Sequence, residues 1–180
     1  MVIKNPAPYR GLQQPYTRKS RVKSKAYIKV VPPSAVVKFV MGDVKKWKAN
    51  EFPIKAEIVS TVDCQIRDVA LEASRQQISR EITETIGNDF YFSVGVAPHH
   101  ILREHKQAAV AQADRCSQGM TLSFGKCVGR AAQVHKGKTL FTVGLISENA
   151  LVKFREIYRK TKPKLPIVTR LDVTKIPQKQ

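Results

Sequence analysis

Five side chains of metal-binding type fall in one irregular stretch of the chain: His99, His100, His105, Cys116 and Cys127. Imidazole nitrogen and thiolate sulfur are ligands zinc favours, but structural zinc sites usually draw them in close pairs. Here there is no CxxC pair and no pair of histidines four apart on a helical stretch. That spacing argues against a metal centre. Cys116 with His105 can be drawn as a thiol–imidazole couple, yet any loop holding both residue types permits that drawing. A GxSxG elbow is absent, and no Ser-His-Asp order suggests a hydrolase. Gly125-Lys126-Cys127-Val128-Gly129-Arg130 is glycine-rich and basic, but it lacks the Walker spacing and the Ser or Thr after its Lys. It also leads into a strand-like stretch, where a phosphate loop must lead into a helix. No catalytic site and no cofactor are expected.

A second chemistry is better represented. Tyr16, Thr17, Arg18, Lys19 and Arg21, continued by Lys23 and Lys25, combine an aromatic face, a hydroxyl and a run of cations. That mixture can stack on a base, donate to phosphate oxygens and neutralise backbone charge. Residues 1–42 hold nine Lys or Arg and no Asp or Glu. The whole chain of 180 residues has 32 Lys and Arg against 14 Asp and Glu, a formal net charge of +18. Such an excess repels itself unless a polyanion neutralises it. Nucleic acid is the first candidate and an anionic membrane surface the second. RNA is favoured over DNA, because no helix-turn-helix, zinc finger or leucine zipper is visible. Arg103, His105, Lys106 and Arg115 in the irregular stretch, with Lys126 and Arg130 just after it, extend the list of candidate RNA contacts.

The elements that must position these residues follow from periodicity. Residues 1–30, broken by Pro6, Pro8 and Pro15, are expected to form an extended arm. Residues 31–172 are expected to form the core and 173–180 a tail. Strands are expected at 36–40, then at 54–60, where Ile54, Ala56 and Ile58 alternate with Lys55 and Glu57. A turn at Met41-Gly42-Asp43 separates them. The spacing predicts a helix over 68–86, with Val69, Ala73, Ile78, Ile82 and Ile86 on one face, Asp68 as N-cap and Gly87 closing it. Residues 90–96 alternate again. From 97 to 126 the periodicity fails, and a structureless run of that length is usually functional or disordered. Strands at 131–135 and 140–143 flank a Lys136-Gly137 turn. Ser147 can cap a second helix with Leu151, Phe154 and Tyr158 on a shared face, and 166–171 is a closing strand. The expected class is α+β: a mostly antiparallel sheet, two helices, a long basic loop and the basic arm. Apolar residues at 42% suffice for a core, and no run approaches the roughly 20 apolar residues of a membrane span. Three cysteines at irregular spacing and no apolar leader suggest an intracellular chain.

Several of these stretches resemble signatures of one family. They are Pro15-Tyr16-Thr17-Arg18-Lys19-Ser20-Arg21, Leu71-Glu72-Ala73-Ser74-Arg75, Pro98-His99-His100-Ile101-Leu102-Arg103-Glu104-His105-Lys106, Ala113-Asp114-Arg115-Cys116-Ser117-Gln118-Gly119-Met120 and Phe124-Gly125-Lys126. In this order and spacing they resemble the universal large-subunit ribosomal protein called L-sixteen in bacteria and L-ten-e in archaea and eukaryotes, the archaeal branch above all. The resemblance implies a single α+β domain between the central protuberance and the stalk base of a cytoplasmic large ribosomal subunit. It implies contacts with large-subunit rRNA near the 5S RNA, with A-site tRNA and with neighbouring ribosomal proteins, and none with a membrane. It further implies that the loop, about 103–119, reaches toward the peptidyl transferase centre, supporting tRNA placement and late subunit maturation while RNA performs the chemistry. Two departures stand out: Thr121 follows Gly119-Met120 where the family usually has Arg, and Val110-Ala111-Gln112 replaces glycines. The rival readings are a free-standing RNA chaperone, which would not co-sediment with large subunits, and an RNA-modifying enzyme, which would bind zinc or turn over.

Overall fold

The computed structural model describes residues 7–12, 24, 28–104 and 125–176. Its elements run β1 Val40–Gly42, α1 Val44–Lys48, β2 Ile54–Ser60, β3 Cys64–Arg67, α2 Asp68–Thr85, β4 Tyr91–Val94, β5 His100–Glu104, β6 Lys126–Val134, β7 Thr139–Leu145, α3 Glu148–Thr161 and β8 Thr169–Lys175. Every strand pairing is antiparallel. One sheet has five strands in the order β1-β4-β7-β2-β8, and a second has three in the order β3-β6-β5. The α+β class holds, with two sheets in place of one.

Alternation in β2 sends Ile54, Ala56 and Ile58 into the core and leaves Lys55 and Glu57 half-buried on the outer face. Phe92 of β4 and Phe141 of β7 stack beneath the helices with ring centres 5.8 Å apart. Helix α3 lies against β2 and β7, while α2 bridges to β3 and β6 of the small sheet. The two helices also pack together, and Lys160 reaches Glu81 at 3.0 Å. Buried apolar side chains such as Ile78, Ile82, Phe154 and Ile157 each contribute about 1.5–3 kcal/mol by leaving water.

Several expectations need correction. Arg67, not Asp68, is the N-cap of α2, because its backbone is still extended as it leaves β3. Asp68 opens the helix, and its carboxylate accepts from the Val69 and Ala35 amides. The buried stripe of α2 runs through Leu71, Ser74, Ile78, Glu81 and Ile82, while Val69 is exposed. Gly87 does take the left-handed conformation, with φ +90. The expected strand at 36–40 starts only at Val40: Val36 drops into the core and Val37 faces solvent. Met41 and Gly42 belong to β1, and Asp43 caps α1 by accepting from the Lys45 and Lys46 amides. The closing strand is shifted to Thr169–Lys175, so residues 173–175 extend the sheet where a tail was expected. Ser147 caps α3 through the Ala150 amide, as its position suggested.

On the outer face of the large sheet, Trp47 of α1 stacks on Tyr91 at 4.3 Å with the rings nearly parallel. Gly144 makes room for it: a Cβ there would sit 2.9 Å from two Trp47 ring carbons. Gly144→Ala should therefore cost about 1–3 kcal/mol, the usual scale for overpacking. Because Trp47 is the single tryptophan, its emission should shift in the same variant. Unchanged denaturant stability together with an unchanged emission spectrum would contradict this packing.

Candidate nucleic-acid interface

The three-stranded sheet presents two chemically different faces. Cys64 and Ile66 of β3 pair across from Val134 and Ala132 of β6, and all four join the main core. One residue along, Gln65 pairs with Gln133 and Arg67 with Ala131, on the opposite face. Tyr9, from a short 3-10 turn at Ala7–Arg10, closes that face. It packs with Leu102 and Ala131 and is 2% exposed. Its hydroxyl donates to the Arg103 carbonyl at 3.0 Å, and its own carbonyl accepts from Gln65 Nε2 at 2.9 Å. Burial, then the nearby Glu104 carboxylate, raise the Tyr9 phenol above its ordinary pKa.

Strands β5 and β6 form a hairpin whose register runs from His100↔Ala131 to Glu104↔Lys126, with a bulge after Leu102. Part of the stretch expected to be structureless is thus paired strand. The sequence hid it because His100, Arg103 and Glu104 break the alternation of β5, while Lys126, Gly129 and Arg130 break that of β6. Residues 105–124 connect the two strands, so the basic segment is rooted in a paired stem.

Of the candidate RNA contacts, three lie among the described residues. Lys126 is exposed at the start of β6. Arg130 is half-buried, and its Nε donates to the Pro32 carbonyl at 2.6 Å, tying the chain before β1 to the small sheet. Arg103 is only 3% exposed, held within β5 beside Cys127 of β6. Tyr16, Thr17, Arg18, Lys19, Arg21, Lys23, Lys25, His105, Lys106 and Arg115 lie outside the described residues. So do Cys116 and the Thr121 departure. Among the described residues no cluster of His, Cys, Asp and Glu could hold a metal ion, and no helix is long and apolar enough to cross a membrane. Burial and the neighbouring His99 lower the pKa of His100.

Comparison with known proteins decides the family. A family profile described as Ribosomal protein L16p/L10e matches residues 13–172. The chain belongs to the L16p/L10e family. It is 39% identical over 179 residues to the large ribosomal subunit protein uL16 of Methanosphaerula palustris, covering 98% of this chain and 97% of that one. The protein of the same name from Methanococcus maripaludis is 41% identical over 177 residues, covering 97% and 96%. That of Pyrobaculum arsenaticum is 39% identical over 158 residues, covering 87% and 83%. An L16p/L10e chain is a ribosomal protein and not an enzyme, which places the loop histidines and cysteines outside catalysis.

Sequence reasoning missed Tyr9 and Gln65, because Tyr9 bonds to Arg103, 94 residues away, and to Gln65, 56 residues away, and neither Tyr9 nor Gln65 carries charge. The one local signal was an aromatic, Tyr9, in an otherwise polar, proline-broken stretch. Within this L16p/L10e chain, Tyr9→Phe keeps the ring and removes the donor to a buried carbonyl, a loss of about 1–2 kcal/mol. Amide exchange in β5 and β6 should then quicken by roughly tenfold. Exchange at the wild-type rate would mean that the Tyr9 hydroxyl does not hold the hairpin.

Proposed function

We propose that this ribosomal protein, a constituent of the large subunit, binds large-subunit rRNA near the 5S RNA and the A-site tRNA. The basic arm, with Tyr16, Thr17, Arg18, Lys19, Arg21, Lys23 and Lys25, neutralises phosphates and fixes the chain's register on RNA. Segment 105–124, with His105, Lys106 and Arg115, supports tRNA placement near the peptidyl transferase centre and late subunit maturation, and the RNA performs the chemistry. Neighbouring ribosomal proteins complete the surroundings of this cytoplasmic assembly. The observation that supports this reading is the β5–β6 hairpin, whose paired stem ends at Glu104↔Lys126, the two residues that flank the basic segment in sequence. A stem anchored by Tyr9 and by cross-strand bonds can hold such a segment at a fixed place on RNA, which a bare loop on the surface could not.

Core docking and tRNA placement should then separate. Residues 105–124 would be replaced by a short Gly-Ser linker, with subunit incorporation and peptide synthesis measured independently. Loop length changes closure entropy only slowly, so the fold should tolerate the exchange. The expected result is near-normal incorporation with impaired synthesis. Normal synthesis would make the segment dispensable, and lost incorporation would make it an assembly anchor; either contradicts the division of labour.

A further inference from the structure

Seven cations among the described residues sit in ion pairs with acidic partners. Lys46 pairs with Asp89, Lys55 with Glu57, Arg75 with Glu72, Arg80 with Glu84, Lys160 with Glu81, Arg170 with Asp172 and Lys175 with Glu148. Three cations outside these pairs converge at one place. Beside the Tyr9 turn a groove of about 250 Å³ runs between residues 7–10 and the turn that follows α3. Arg10, Arg67 and Lys164 line it, and Ala70 and Leu165 form part of its apolar wall. No Asp or Glu lines the groove, and among the described residues none of the three cations makes an ion pair with a carboxylate. The nearest acid in sequence, Asp68, faces the neighbouring cleft instead, where it accepts from Ala35.

We infer that this groove clamps one phosphodiester of bound RNA, as a contact separate from the arm and from segment 105–124. The three cations come from three distant parts of the chain: the N-terminal turn, the end of β3 and the turn after α3. Their convergence is made by the fold, and like charges gathered without a counter-charge repel unless an anion joins them. Arginine presents a planar fork of donors that matches two phosphate oxygens, and lysine adds a point charge. The groove is smaller than the roughly 300–1,000 Å³ of small-molecule sites, which suits a phosphodiester better than a whole nucleotide ligand. Arg67 is held in place because β3 pairs it with Ala131, while Arg10 follows directly on the anchored Tyr9. The inference rests on the RNA-binding reading and adds a site to it.

The test is the salt dependence of binding between the full chain and a transcript of large-subunit rRNA. Each phosphate contact contributes about 0.7–0.9 to the slope of log affinity against log salt. Arg10→Gln with Lys164→Gln removes two exposed cations that the fold does not need, and loss of the single phosphate contact should lower the slope by about 0.7–0.9. Lys136→Gln with Lys138→Gln, equally exposed at the β6–β7 turn, removes the same charge outside the groove and should change the slope by much less. An unchanged slope in the groove variant, or equal losses in both variants, would overturn the site. Inorganic phosphate at matched ionic strength should release RNA no better than chloride; strong competition would mean a free-phosphate site and would also overturn it. A wild-type chain with no salt-dependent RNA binding would overturn the RNA reading itself, a failure distinct from a steep wild-type slope that the groove variant leaves intact.

Discussion

Ala132 and Val134 of β6 point into the main core, while Ala131, on the same strand, meets Tyr9 and Leu102 on the other side. That alternation of small and branched side chains lets β6 pair with β3 and β5 at once. A strand with a face on each of two clusters cannot slip by one residue without exchanging core for surface. The small sheet is thereby locked in register against α2. From that lock follow the place of Arg67 beside the Tyr9 turn, the bond from Arg130 to the Pro32 carbonyl, and the register of the β5–β6 stem.

Charge is arranged around this scaffold rather than through it. Acidic residues concentrate at 54–89, where they pair with lysines and arginines of the two helices and the large sheet. An exposed pair such as Arg80–Glu84 is worth little by itself, about 0–1 kcal/mol, so such pairs do not explain the fold. They offset part of the positive charge on the described residues. A chain of +18 still carries a large excess of cations beyond these pairs, which a polyanion would neutralise.

How much of this was legible in the sequence depended on how local the cause was. The alternation of β2, the Lys136-Gly137 turn, the Ser147 cap and the Gly87 closure each rest on a few neighbouring residues, and each could be read directly. Strands β3 and β5 could not. Gln65 lies buried because it bonds to the Tyr9 carbonyl 56 residues away, and Arg103 lies buried because β6 and Tyr9 cover it. Polar residues at inward positions break the pattern that marks a strand. The α2 face was misjudged for a related reason: Ser74 and Glu81 are buried by packing and by Lys160, while apolar Val69 is left outside. Motif resemblance reached the family where periodicity stopped, because most of its signatures, Leu71–Arg75 in α2 excepted, sit in stretches that lack regular alternation.

The central claim is that this chain is held in the large ribosomal subunit chiefly by charge contacts with RNA. Sucrose-gradient sedimentation of cell extract, repeated at rising monovalent salt, tests it most directly. The chain should travel with the large subunit at low salt and leave it steeply as salt increases, since phosphate contacts are lost with counterion competition. A chain that stays with the large subunit at every salt concentration would contradict the claim.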